Sequence, residues 1–177
     1  MYFSRMKREN RRGPRVLGAV PTPPRLAVDT FVQAGTSGNA VIVDTRARAP
    51  FLARHVRGSL LAERAFQFVN ITGSYIAEDA PIYLVIPEAE LDAAVRDSVR
   101  IGLDDVRGWV TPEEYEAWLA TSPDVATIAS ITMEDVESRR LDGGYTILDV
   151  RGKVDFVVQH IPGAINAANT ALGRAPR

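Results

Sequence analysis

The chain reads as an α/β protein: an open parallel sheet with helices on both faces, followed by an incomplete second repeat. Three observations predict this. Short β-branched apolar runs, Val41–Asp44 and Ile82–Ile86, alternate with amphipathic stretches such as Glu88–Ile101. The connections are long enough for the crossovers that parallel pairing needs. One pattern also occurs twice in constant register: Asp44, Arg46, Phe51, His55 and Gly58 return as Asp149, Arg151, Phe156, His160 and Gly163, each 105 positions on. That offset is too long for a solenoid repeat and about right for a domain.

Taken in order, residues 1–25 form a basic junction. Arg5, Lys7, Arg8, Arg11, Arg12 and Arg15 are accompanied by one acid, Glu9. A helix here ends at Gly13-Pro14, and Pro21–Pro24 is a stiff spacer. Residues 26–120 hold one complete domain. A short helix runs from Leu26 to Gln33 and stops at Gly35. Val41–Asp44 is a strand covered on both faces, with a helical turn at Pro50–Arg54 and a turn and short strand at Gly58–Leu61. Ala62–Gly73 is expected to be helical, with Phe66 and Val69 or Asn70 alternating between inside and outside. Ile82–Ile86 is the most apolar strand and is expected to be central.

Leu91, Ala94, Val95 and Val99 share one face of the helix Glu88–Ile101, which Gly102 caps. Val106–Val110 is a further strand. Thr111-Pro112-Glu113-Glu114 carries the signature of a capping box, and the helix it opens turns Tyr115, Trp118 and Leu119 inward. Residues 121–129 read as a linker. Residues 130–177 then begin the second unit, with a helix opened by Thr132, closed by Gly143-Gly144, and a strand at Tyr145–Val150. The counterpart of the central strand would fall near position 187, past Arg177, so this unit is expected to lack it.

Composition narrows the chemistry. The formal net charge of −1 leaves no global field to attract nucleic acid or an anionic membrane. No apolar run approaches the roughly 18 residues of a membrane-spanning helix. The basic N-terminus lacks the apolar core of a secretory signal, so the expected location is cytoplasmic. There is no cysteine, which removes disulfides, thiolate metal sites and cysteine nucleophiles. The two histidines, one in each copy, do not make a zinc site.

The strand ending in Asp-x-Arg (Asp44, Arg46; Asp149, Arg151), the following aromatic, and His55-Val56-Arg57-Gly58-Ser59 with His160-Ile161-Pro162-Gly163-Ala164 resemble the rhodanese (sulfurtransferase) family. Gly102–Val106 resembles the family's segment before its last strand. The resemblance implies a cysteine just after the central strand, heading a loop whose N–H groups cradle an anionic sulfur species. The equivalent stretch here is Ile86-Pro87-Glu88-Ala89-Glu90. It has no cysteine, Pro87 offers no N–H, and Glu88 and Glu90 place negative charge where the anion would lie. Tyr2–Lys7 with Asn10–Pro14 resembles the junction of bacterial metallo-β-lactamase-fold proteins that carry C-terminal rhodanese repeats. Their His-x-His-x-Asp-His ligand motif is absent from this sequence.

Each candidate residue has two readings. Asp44 and Arg46 are an acid and an anion clamp, or a structural pair in which Asp44 accepts turn N–H groups or meets Arg57. His55 and His160 are general bases, or polar residues fixing a turn before Gly58 and Gly163; the lack of a cysteine or serine partner favours the turn. Glu113, Glu114 and Glu116 read better as a solvated helix face than as a metal site. Trp109, Tyr115 and Trp118 read as core or interface residues. The expectation is a non-enzymatic module with no catalytic, cofactor or metal residues. Its partners would be another protein, an upstream metallo-hydrolase domain or a second copy in a homodimer, with neither nucleic acid nor membrane among them. The competing expectation is a fragment of a hydrolase, dioxygenase or sulfurtransferase whose catalytic parts lie elsewhere.

Overall fold

A strand covered on both faces is mostly apolar, and the two such runs, Val41–Val43 and Ile82–Ile86, become the interior of the sheet. The computed structural model describes residues 2–13, 16–64, 67–141, 143–168 and 172. Pro14, Arg15 and Phe66, which figure in the expectations above, lie outside them. The chain divides into two compact units, Met1–Ile128 and Ala129–Arg177.

Unit 1 runs α1 (Tyr2–Arg12), α2 (Val28–Gly35), β1 (Val41–Asp44), α3 (Arg48–Ala53), β2 (Leu60–Leu61), α4 (Phe68–Tyr75), β3 (Ile82–Val85), α5 (Glu88–Arg100), β4 (Val106–Val110) and α6 (Pro112–Thr121). The four strands form one parallel sheet in the order β2-β1-β3-β4. Period-two alternation sorts the two faces. Val43, Ile82, Leu84 and Ile86 pack with Phe68 of α4 and with Ala94 and Val95 of α5. Ile42, Tyr83, Val85 and Val110 pack with Phe31 of α2 and with Tyr115 and Leu119 of α6. Unit 2 runs α7 (Met133–Leu141), β5 (Leu148–Asp149), α8 (Lys153–Val158) and β6 (Ile165–Asn166), with β5 and β6 paired in parallel.

The helix ends follow local chemistry. Gly102, at φ 73°, closes α5: its N–H reaches the Val99 carbonyl at 3.0 Å and the Leu103 N–H reaches that of Ser98 at 2.9 Å. Thr111 and Glu114 form the reciprocal capping box of α6. In unit 2, Thr132 and Asp135 exchange the same kind of bonds at 3.1 Å.

Several expectations change. Helix α2 begins at Val28 rather than Leu26, because residues 24–26 run extended along β4: the Leu26 N–H donates to the Trp109 carbonyl and the Trp109 N–H to that of Pro24. Gly108 permits this approach, since a Cβ there would strike the Leu26 side chain. Helix α4 begins at Phe68 rather than Ala62. Ala62 is taken by the sheet, its N–H bonded to the Asp44 carbonyl at 2.9 Å, and tertiary pairing overrides helix propensity there. The strand expected over Tyr145–Val150 shortens to Leu148–Asp149, because among the described residues only β6 pairs with it. The basic helix α1 lies against α4, and Arg8 pairs with Glu78. Among the described residues, no helix is long and apolar enough to cross a membrane.

The stretch after α6 is also held to unit 1. His55 and Ala126 exchange N–H···O bonds at 3.0 and 2.8 Å, and the Ile128 N–H donates to the Leu52 carbonyl at 2.9 Å. Unit 2, by contrast, leaves Val154, Val157 and Val158 mostly exposed. Protease reaches chain that opens locally. Limited proteolysis is therefore expected to cut at or after Ala129 and within unit 2, sparing residues 122–128; mass spectrometry of the first fragments checks this, and early cuts inside 122–128 contradict it.

Candidate functional site

Parallel strands end together, and the carboxyl edge of such a sheet is where α/β proteins place ligands. Asp44, the last residue of β1, is 0% exposed, and Arg46 is 7% exposed. An uncompensated carboxylate there would be costly. Asp44 Oδ1 accepts from the Arg46 backbone N–H and from Nε, both at 3.0 Å, and Oδ2 accepts from Nη2 at 2.7 Å. The partner is thus Arg46, not Arg57, which lies exposed in the following turn. Two residues past Asp44 the chain has already turned, so the side chain of Arg46 folds back over the strand end.

The rest of the guanidinium is engaged as well. Nη2 donates to the Arg54 carbonyl at 2.9 Å and Nη1 to Glu116 Oε1 at 3.2 Å. The group lies 5.0 Å over the Tyr115 ring. Burial opposes the charge on Arg46, but the hydrogen bonds and charge of Asp44, with Glu116, outweigh it and raise the pKa above its ordinary value. Tyr115 OH accepts from the Val56 N–H at 3.1 Å. Burial is the main reason the phenol's pKa is pushed up to about 12. Arg46 therefore turns its donors towards protein acceptors on three elements.

His55 is buried and stacked on Phe51, with ring centroids 4.1 Å apart. Its Nδ1 lies 2.8 Å from the Phe51 carbonyl oxygen, which can only accept, so Nδ1 carries the proton. Gly58 at φ 83° allows the turn in which the Ser59 N–H meets the Val56 carbonyl at 3.0 Å.

The same pieces recur in unit 2. Arg151 Nε and Nη2 bond Asp149 at 3.0 and 2.6 Å, and Nη2 bonds the Gln159 carbonyl at 2.7 Å. His160 stacks on Phe156 at 3.9 Å with Nδ1 2.8 Å from its carbonyl oxygen, and Gly163 has φ 83°. Here Arg151 is 51% exposed. Hydrogen bonds from the Arg151 side chain, then its backbone, lower the Asp149 pKa to about 2. Asn166 Nδ2 ties the Asp149 and Arg151 carbonyls, at 3.0 Å each.

The stretch Ile86–Glu90 is a direct strand-to-helix junction. Ile86 is fully buried and its N–H donates to the Val110 carbonyl at 3.0 Å, so it still belongs to the sheet. Pro87 is the N-cap, with φ −60° and ψ 137°, and α5 starts at Glu88. The Glu90 N–H is taken by the Pro87 carbonyl at 2.9 Å. Glu88 and Glu90 lie in the first turn, where carboxylates suit the helix dipole. Beside the junction a hollow of about 470 Å³ is lined by Arg64, Phe68, Ala89, Glu90 and Asp97. Its charges meet one another: Arg64 Nη2 lies 2.9 Å from Asp97, and Nε lies 3.9 Å from Glu90. Among the described residues, no three His, Cys, Asp or Glu side chains come together in a way that could hold a metal.

Residues 132–177 match the model of the rhodanese-like domain. That rhodanese-like stretch contains Asp149, Arg151, His160 and Gly163. No curated protein matches the chain. Among solved structures, the chain is similar to a metallo-beta-lactamase from Staphylococcus aureus subsp. aureus COL, at 24% identity and a TM-score of 0.50, over 62% of this chain and 29% of that one. It is also similar to EanB in complex with hercynine, at 17% identity and a TM-score of 0.48, over 87% of this chain and 42% of that one. For the Alr3790 protein from Anabaena sp. the values are 16% and 0.44, over 67% and 92%. The chain thus spans well under two thirds of the length of the first two. The first of these matches speaks for the fold alone, and the parallel sheet flanked by helices is consistent with a rhodanese-like fold.

Sequence reasoning placed Asp44 and Arg46 at this edge and the histidines before their glycine turns, but missed Tyr115, Glu116 and Asn166 as partners. Tyr115 and Glu116 come from α6, about 70 residues away, and no periodicity signals such a meeting. Asn166 was hidden because the matching position in unit 1 is Leu61.

Two outcomes are expected. Asp44→Ala leaves Arg46 buried without its main partner and costs about 3–5 kcal/mol of unit 1 stability, measured by urea denaturation. Tyr115 favours its neutral form in the fold, so its contribution is complete below pH 10, the ordinary phenol value, and is lost as pH rises towards 12. Tyr115→Phe is expected to remove that alkaline fall, read as the difference between wild-type and variant stability across the interval.

Proposed function

We propose that this chain is a non-catalytic rhodanese-like module, built as two copies of one unit, with a structural, regulatory or protein-interaction role. It serves as an accessory region of a sulfur-metabolism or metallo-hydrolase protein in the cytoplasm. The observation that carries this reading is the β3–α5 junction. Sulfur transfer of the rhodanese kind needs a thiolate to take a sulfur atom and a ring of N–H donors to hold the resulting anion. At Ile86-Pro87-Glu88 the sulfur nucleophile is missing from the sequence, Pro87 has no N–H, and the Glu90 N–H is already bonded. The engagement of Arg46 adds support, since a buried guanidinium whose donors already meet Asp44, Glu116 and the Arg54 carbonyl offers little to a substrate anion.

A second reading is that the chain is a segment of an enzyme, a metallo-β-lactamase-fold hydrolase or persulfide dioxygenase with rhodanese domains, whose catalytic parts lie outside this sequence. Its support is the span: the chain covers only 29% of the solved metallo-beta-lactamase it resembles in fold. An upstream metallo-hydrolase domain or a second copy of the chain would then be its neighbour.

The purified chain is expected to turn over thiosulfate and cyanide at the uncatalysed rate. Glu88→Cys is expected to leave that rate unchanged, because a thiol alone does not restore the donor ring. Turnover by the wild-type chain overturns the reading, and turnover by Glu88→Cys alone overturns the role given to the missing donors.

A further inference from the structure

Strand β4 does not end the unit 1 sheet. Residues 24–26 run parallel along its outer side, bridged at Arg25 and Trp109. The Leu26 N–H donates to the Trp109 carbonyl at 3.0 Å, and the Trp109 N–H donates to the Pro24 carbonyl at 3.1 Å. The neighbouring positions of β4 are engaged otherwise. Arg107 is the extra residue of a bulge, since Ile82 pairs with Val106 and Tyr83 with Gly108. The Thr111 N–H meets Glu114 Oε2 at 3.3 Å in the capping box of α6. Pairing along this edge is therefore centred on Trp109.

Side chains around Trp109 read the docked segment. Leu26 lies over Gly108, where a Cβ would strike it, and packs against the cluster that holds Tyr83 and Val110. Arg25 Nη2 lies 2.9 Å from Glu114 Oε1, and its guanidinium lies 5.4 Å over the Trp109 ring. The bond from Arg25, then that from the Thr111 N–H, holds the Glu114 carboxyl below its ordinary range. The edge thus fits an extended segment in which an arginine is followed by an apolar side chain of leucine size. Each of these contacts is made by β4 or by the first turn of α6, so none depends on which copy of the chain supplies the segment.

The attachments of the segment suit an exchange. Upstream, Pro21-Thr22-Pro23-Pro24 is a stiff, extended spacer. Downstream, Ala27 is exposed and extended, with φ −64° and ψ 141°, and caps α2 without a side-chain bond. Rotation at this one residue redirects the arm without unwinding a helix. We propose that the β4 edge is a recognition site for an extended proline–arginine–leucine segment, filled in a single chain by residues 24–26 and in a dimer by the same residues of a second copy. The exchange is reciprocal, so each copy gives its arm and receives the other, and every bond described above is kept. Helix α1, which pairs Arg8 with Glu78, lies on the same arm and travels with it. The proposal rests on the protein-interaction role given above and makes a second copy the partner.

The test uses two variants of the full chain, one carrying Arg25→Glu and the other Glu114→Arg. Each alone sets like charges against each other at this edge, and the Trp109 amide is expected to exchange about tenfold faster than in the wild type. Mixed, they are expected to form a one-to-one heterodimer, seen by native mass spectrometry, because reciprocal exchange pairs opposite charges at both edges. In that mixture Trp109 exchange returns to the wild-type rate. A chain carrying both reversals is expected to regain the slow rate by itself. The proposal is overturned if the mixture holds no heterodimer although each variant alone shows the faster exchange. It is equally overturned if Trp109 exchange is unchanged in both single variants, or if the doubly reversed chain stays fast, since residues 25 and 114 then do not hold the segment. None of these results alters the sulfur-transfer assay, so the two readings fail separately.

Discussion

The fork between Asp44 and Arg46 is the constraint on which unit 1 depends. A carboxylate ends the most enclosed part of a parallel sheet, and its only tolerable state there is bonded and charge-balanced. Arg46 supplies that state from two residues away. In doing so its guanidinium becomes a hub: it fixes the end of α3 through the Arg54 carbonyl and draws α6 in through Glu116 and the Tyr115 ring. Tyr115 then reaches the Val56 N–H, so the turn carrying Gly58 is held by the same helix. A motif that looks catalytic on paper is thus the clamp that joins the sheet edge to its covering helix.

The second unit separates what is local in this clamp from what is not. The fork of Asp149 and Arg151 forms with nearly the same distances, although among the described residues no tyrosine or glutamate side chain bonds to it. Its geometry is a property of a short stretch of chain, set by the turn after the strand. Its burial is not local. The side chains of Asp44 and Arg46 are 0% and 4% exposed, whereas those of Asp149 and Arg151 are 11% and 51% exposed. The difference is the work of β3, β4 and α6, which turn a surface ion pair into an interior one. Surface pairs contribute little to stability, and buried ones punish the loss of a partner.

What was legible in the sequence follows the same division. β1, β3, β4, α5 and α6 were readable because each has its own local signal: a β-branched run, a 3.6-residue stripe, a capping box or a glycine at the helix end. The α/β parallel architecture followed from their alternation. The start of α4 was misread because Ala62 has a backbone partner in β1, a contact invisible to propensity. The strand around Leu148 was drawn too long because its length depends on neighbours rather than on its own residues. Of the two partners expected for Asp44, the turn N–H is there, from the Arg46 backbone, while the guanidinium is that of Arg46 and not Arg57, because linear spacing does not reveal how sharply the chain turns after Thr45. Long-range partners such as Tyr115 left no mark that a single sequence displays.

The junction at Ile86 and Pro87 shows how a sheet can gain what a reactive loop gives up. A loop that cradles an anion must hold several N–H groups away from other acceptors, which leaves them unpaired until a ligand arrives. Here two of the junction's N–H groups serve the fold: that of Ile86 extends the pairing of β3 with β4, and that of Glu90 closes the first turn of α5. Pro87 fits because its fixed φ of −60° suits the extended N-cap and its missing N–H would otherwise need a partner. The two glutamates then face the positive end of the helix, where their charge is favourable. Each of these choices favours a strand that passes directly into the helix, with β3 paired to its last residue and α5 starting at once.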